Sequence, residues 1–142
     1  MSINYDTQNI FAKILRGEIP AIKVYEDDRT LAFMDIMPQA QGHTLVIPKA
    51  EAVTLLDLSA DDAAYTIQIV QKVARAIEKA LDASGIVLMQ LSGETAGQTV
   101  PHVHFHLIPS SIHELRKHAA EMGDQEEIKA TAEKIKLALE QL

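Results

Sequence analysis

The chain has 142 residues, 47% hydrophobic and 23% charged, which suits one domain with a sizeable core. Its net charge of -7 argues against nucleic acid as a bulk partner, since a phosphate backbone wants clustered Lys and Arg, but leaves a single nucleotide open. The absence of cysteine excludes disulfides, thiolate catalysis and Cys-based zinc sites, and with neither a basic-then-apolar leader nor an apolar run of about 20 residues the expectation is a cytoplasmic protein with no membrane partner.

Residues 1–6 read as a loose lead. Asp6 or Thr7 is placed to cap a first helix running to about Arg16, with Phe11, Ile14 and Leu15 on its apolar side and Gly17 to end it. Pro20 then imposes an extended path. Ala21–Tyr25 and Thr30–Met34 read as strands joined by the polar turn Glu26–Arg29, a hairpin. Asp35–Gly42 is a loop punctuated by Pro38 and Gly42, and His43–Ile47 is a third strand stopped by Pro48.

Ser59, with Asp62 three residues on, resembles a capping box that opens a long helix. The stripe Ala63, Ile67, Val70, Ala74, Ile77 and Leu81 would cover one face of a sheet. Gly85 resets the chain, Ile86–Leu91 is a fourth strand, and Ser92–Gln98 is a glycine-containing loop. Val103–Ile108 makes a fifth strand that leaves the sheet at Pro109. His113–Gly123 has only a weak helical character, while Asp124–Gln141 reads as a final helix with Ile128, Ala132, Ile135, Leu139 and Leu142 on one side. Glu121, Asp124, Glu126 and Glu127 read as solvated surface near its start. Hairpin-connected strands imply an antiparallel sheet, so the expected class is α+β in one domain over residues 1–142, with 110–142 as a C-terminal helical tail.

Chemistry concentrates at His102, His104 and His106. In a strand all three share one face, while Val103, Phe105 and Leu107 share the other. One histidine is commonly a satisfied core residue; three in register point to a site. A metal is one use for them, since imidazole suits zinc, with His43, Asp35 or Glu94 to complete the set. Same-face positions about 6.5–7 Å apart make it hard for one ion to reach all three, so metal is the minor reading. Attack on phosphorus is the other use. A neutral imidazole is a good nucleophile when an acceptor holds the proton on its second nitrogen. The glycine-bearing loop before the strand adds backbone N–H donors for phosphate.

Gly97 to Pro109 closely resembles the His-φ-His-φ-His-φ-φ signature of the histidine-triad (HIT) superfamily, φ being apolar. Asp35–Lys49 matches a second segment of that family. Ile10-Phe11 with Gly17–Pro20 and Tyr25–Asp27 matches a third. The three lie in the family's order and carry the likeness to about Pro109. The branch looks like the Hint-type nucleotide hydrolases, in particular bacterial members with a helical tail. The resemblance implies a HIT fold: a five-stranded antiparallel sheet with a long helix packed on it and a C-terminal helix.

The resemblance also implies roles. His104 would be the nucleophile toward an α-phosphate, its second nitrogen held by the carbonyl of His102. His106 would contact phosphate oxygen, with His102 and His43 in the supporting hydrogen-bond network. Gln98 and Thr99 would lie near phosphate and leaving group, Asp35 would take the ribose hydroxyls, and Phe11, Ile14, Phe33 and Ile36 would wall the base pocket. Read without the family, the four apolar residues are core, Gln98 and Thr99 satisfy a loop, and Asp35 caps a turn. The implied substrates are purine nucleotides such as AMP conjugates, cleaved without cofactor or metal by a homodimer. A dinucleoside polyphosphate hydrolase, a weakly catalytic nucleotide-binding regulator and a metal-binding module are the alternatives. Three departures from the family stand out. Leu91 stands where many relatives carry Asn, and its loss would remove a hydrogen bond near phosphate. Pro101 replaces a residue with an N–H. Asn9 and Ala12 replace the cysteines of a zinc site found in some bacterial members.

Overall fold

In the computed structural model, which describes residues 4–115 and 122–142, helix α1 (Ile10–Leu15) precedes a hairpin of β1 (Lys23–Glu26) and β2 (Thr30–Met34). Strand β3 (Thr44–Pro48), the long helix α2 (Ala60–Leu81), β4 (Val87–Met89), a 3-10 turn at Glu94–Ala96, β5 (Phe105–Ile108) and helix α3 (Gln125–Glu140) follow. The five strands form one antiparallel sheet in the order β1-β2-β3-β5-β4. The expected α+β architecture is therefore the observed one.

Alternation along the central strands divides the core between the two faces of the sheet. Ala32 and Met34 of β2, Val46 of β3, and Phe105 and Leu107 pack with Val103 against α2 and α3. Leu31 and Phe33 of β2, with Leu45 and Ile47 of β3, turn to the opposite face and meet Phe11 and Ile14 of α1. Both faces are covered, so every residue of β2, β3 and β5 is buried. Helix α3 belongs to the main core: Ile135 is fully buried, and Ile128, Ala132 and Ala138 pack in the same cluster as α2.

The β1–β2 turn is tied to α2 through Asp27. One carboxylate oxygen accepts from the N–H of Arg29 (2.9 Å) and from the N–H and hydroxyl of Thr30 (2.7 and 2.8 Å). The other accepts from the hydroxyls of Tyr25 (2.8 Å) and of Tyr65 on α2 (2.7 Å). Ser59 caps α2 as expected, its hydroxyl accepting from the Asp62 N–H at 3.1 Å.

Several local expectations change. Asn9, not Asp6 or Thr7, caps α1, because its side-chain oxygen reaches the Ala12 N–H at 2.9 Å. The stripe on α2 is rotated: Thr66, Ile69, Val70, Val73, Ala76 and Ile77 are buried, while Ile67 is 44% exposed. This helix meets α3 as well as the sheet, so the buried arc faces between two neighbours. On α3, Leu142 lies outside the buried stripe and is exposed. Strand β4 shrinks to three residues. The ladder of β5 begins only at Phe105. Pro101 has no N–H to give, and the Val103 N–H is drawn to the Ala52 carbonyl instead (2.9 Å). Most of 113–123 lies outside the described residues, including His118 and Glu121.

Candidate active site

Four buried histidines meet on the α1 side of the sheet. His106 sits in β5 opposite Leu45 on one side and Met89 on the other. His43 immediately precedes β3, and Asp35 immediately follows β2, the Asp35 N–H donating to the His43 carbonyl at 3.0 Å. His102 and His104 come from the extended segment before β5. The ring centroids of His104 and His106 are 4.9 Å apart, and those of His43 and His106 are 5.2 Å apart. Phe11 of α1 stands edge-on to His104 at 5.0 Å and to Phe33 at 5.3 Å.

Fixed donors and acceptors assign the tautomers, since a backbone carbonyl can only accept and a backbone N–H can only donate. His104 Nδ1 lies 2.6 Å from the His102 carbonyl, so Nδ1 carries the proton and Nε2 holds the lone pair of the neutral ring. His102 Nε2 donates to the Pro48 carbonyl at 2.8 Å, which leaves Nδ1 as an acceptor for the Tyr5 hydroxyl at 2.5 Å. The Gln39 N–H donates to His43 Nδ1 at 3.0 Å, so the proton of neutral His43 is on Nε2. That proton is donated to His106 Nδ1 at 3.0 Å, which places the His106 proton on Nε2. The result is a nucleophile-type nitrogen on His104 beside an N–H donor on His106. Burial pushes the pKa of His102 down, against the pull of its bond to Pro48 and the charge of Glu51.

A cavity of about 360 Å³ opens beside His106. Phe11, Ile14, Phe33, Ile36 and Leu45 wall it, and Asp35 and Thr99 supply polar groups at its edge. All four apolar residues expected at the base pocket thus line one cavity, while Phe11, Ile14 and Phe33 also serve the core. The Asp35 carboxylate accepts from the Met37 N–H at 2.8 Å and approaches His43 Nε2 at 3.4 Å. Gln98 does not line the cavity. Its amide accepts from the Gly93 N–H (2.8 Å) and donates to the carbonyls of Val53 (2.7 Å) and Val100 (3.0 Å), bracing the loop that presents Thr99. Leu91 packs by its side chain close to Gly97, and the Ser92 hydroxyl donates to the Gln90 side chain at 3.1 Å.

Asp35, His43 and His106 bring ligand-type atoms within 4.8 Å of one another. A cation held there through His43 Nε2 would displace the proton shared with His106 and put a proton on Nδ1, facing the Gln39 N–H. The donor pattern fits a hydrogen-bond relay better than a ligand set. Glu94, the other candidate ligand, sits exposed in the 3-10 turn outside that cluster.

Sequence reasoning passed over Tyr5, the Gln39 N–H and the Pro48 carbonyl. Tyr5 lay in a stretch read as a loose lead, and two of the three groups are main chain, which no residue type reveals. His113 lies in a turn after Pro109 and Ile112 beside it is exposed.

Residues 16–113 match the HIT domain family. "Protein hit" of Bacillus subtilis is 44% identical over 100 residues, which cover 70% of this chain and 69% of that protein. The adenosine 5'-monophosphoramidase hnt1 of Schizosaccharomyces pombe is 43% identical over 100 residues, covering 70% of this chain and 72% of its own. The crystal structure of a Hit-like protein from Bartonella henselae, described as involved in cell-cycle regulation and bound to an unknown ligand, superposes with a TM-score of 0.85 at 47% identity, covering 96% of this chain and 99% of that one. With a wired histidine cluster in the matched segment and the same sheet in its relatives, this chain belongs to the HIT family.

Proposed function

We propose that this protein is a nucleotide hydrolase or nucleotidyl transferase that cleaves purine nucleoside 5'-phosphoramidates, or related AMP conjugates, at the α-phosphate. The observation that carries this reading is the 2.6 Å bond from His104 Nδ1 to the His102 carbonyl, which fixes the tautomer a nucleophile needs. The fission yeast relative, an adenosine 5'-monophosphoramidase, supports the substrate class.

The chemistry follows from the wiring. His104 Nε2 attacks the α-phosphorus, a P–N bond forms to the ring, and the bond to the leaving amine breaks as that amine takes up a proton. The Nε2–H of His106 donates to a non-bridging oxygen as negative charge builds there, a preorganised donor in a water-poor site. Donation from His104 Nδ1 to a carbonyl stabilises the positive charge the ring acquires. Water then attacks the nucleotidyl-His104, loses a proton and releases the nucleoside monophosphate. The apolar walls take the base and the Asp35 carboxylate accepts from the ribose hydroxyls.

Two copies act together in this reading, joined through the β4 edge of the sheet, where Leu88 is 49% exposed. Sedimentation at twice the mass of one chain is the expected result.

Leu91, packed against the Gly97 loop, favours a second reading, a nucleotide-binding regulator with weak turnover. Turnover of adenosine 5'-phosphoramidate, followed with and without a chelator and in His104→Ala, separates the two. Chelator-resistant turnover lost in the variant supports the hydrolase. AMP binding without turnover supports the regulator and makes Leu91→Asn the next variant.

A further inference from the structure

Tyr5 lies before the segment that matches the HIT family, yet its hydroxyl is 2.5 Å from Nδ1 of His102. The other nitrogen of that ring donates to the Pro48 carbonyl at the end of β3, 2.8 Å away, and the ring is fully buried. The main-chain oxygen of the same residue accepts from His104 Nδ1. Residues 101–104 precede the β5 ladder, so sheet pairing does not set the direction of that carbonyl. It is set by the Val103 N–H bond to Ala52 and by the two bonds that clamp the His102 ring.

We propose that Tyr5 is a positioning residue: by donating to the His102 Nδ1 that the Pro48 bond leaves as an acceptor, it completes the clamp on that ring and aims the carbonyl that orients His104. Burial pushes the phenol pKa up, which keeps it a donor. The Tyr5 ring also packs edge-on to His102 at 5.5 Å. The stretch before α1 is thereby joined to the segment that carries His102 and His104.

The kinetic consequence rests on the nucleotidyl-transfer reading; the consequence for the imidazole signals does not. Tyr5→Phe keeps the edge-on ring and removes only the hydroxyl, whereas Tyr5→Leu removes both. Two readouts are compared in the full-length protein: imidazole nitrogen NMR with isotope-labelled histidine, and kcat against KM for adenosine 5'-phosphoramidate. The expected result for Tyr5→Phe is a changed His102 Nδ1 signal, a shifted His104 Nδ1–H signal, and a fall in kcat of about tenfold with KM nearly unchanged. Tyr5→Leu should add a loss of thermal stability. A Tyr5→Phe protein with His104 signal and kcat both at wild-type values overturns the proposal, whatever happens at His102. Should wild type show no turnover, the hydrolase reading fails on its own, and the His104 signal alone decides the role of Tyr5.

Discussion

His102 serves His104 with its backbone and the sheet with its side chain: its carbonyl accepts from His104 Nδ1 at 2.6 Å, and its ring donates to Pro48 at 2.8 Å. The two bonds point to different elements, so the segment that carries His104 is lashed to β3 although it does not pair with it.

The relay from the Gln39 N–H through His43 to His106 makes His43 a tautomer setter. His43→Ala should lower kcat by about 10²-fold, because His106 Nδ1 then lacks its donor and the ring is free to carry its proton on the wrong nitrogen. Steady-state kinetics with AMP binding as control would check this. An effect on KM alone would show that His43 acts on substrate binding instead.

Burial lowers the pKa of His102 below its ordinary 6.5. The unfolded chain therefore binds this proton at higher pH than the folded one. Stability from neutral His102 is complete above pH 6.5 and is lost as pH falls from there through the folded value. Histidine NMR should give a His102 midpoint below 6.5, and a midpoint at or above it contradicts the assignment.

Asp27 is pushed up by burial, but bonds from Tyr65, the Arg29 N–H, Tyr25 and Thr30 outweigh this and hold its carboxyl well below the usual range. Tyr25, desolvated and bonded to Asp27, is pushed up to about 12. Asp27→Ala should destabilise the fold by roughly 2–3 kcal/mol, since two tyrosine hydroxyls and the turn lose their acceptor. The contribution is present above pH 3.8 and lost as pH falls toward the depressed folded value. Urea unfolding at neutral and acid pH tests both size and sign; a pH-independent difference would contradict the linkage.

Ile135 of α3 is fully buried against the α2 side of the core. Ile135→Ala should cost about 2–5 kcal/mol, the range for emptying such a site. A loss well under 1 kcal/mol in chemical denaturation would mean that α3 is a peripheral appendage.

Gly42 has φ +89°, and an added Cβ would meet Leu81 Cδ1 at 2.4 Å and Pro109 Cγ at 3.2 Å. Gly42→Ala therefore combines left-handed backbone strain with crowding beside His43, and about 1–3 kcal/mol of destabilisation is expected. Thermal denaturation that shows no loss would mean that Leu81 moves aside freely and the backbone relaxes.

How much was legible in the chain varies by element. β2 was read to the residue because Thr30–Met34 is bounded by a polar turn and by Asp35. The start of α2 was legible because Ser59 and Asp62 carry their own capping chemistry. The buried face of α2 was misjudged because its second neighbour, α3, is remote in sequence. The cap of α1 is not decided by residue type, because Asp6, Thr7 and Asn9 are all competent; the folded chain brings the Asn9 oxygen to the Ala12 N–H.

The sequence by itself determined that His102, His104 and His106 turn away from Val103, Phe105 and Leu107, since alternation in extended chain is a local property. It also determined the antiparallel α+β class, through its hairpin and single long helix. Tertiary structure decided which nitrogen of each histidine carries the proton. The groups that fix those protons in the site are the Gln39 N–H and the carbonyls of Pro48 and His102, with the Tyr5 hydroxyl partnering the nitrogen that remains. A tautomer depends on what faces the ring, and for His102 both partners come from far along the chain, Tyr5 being 97 residues away.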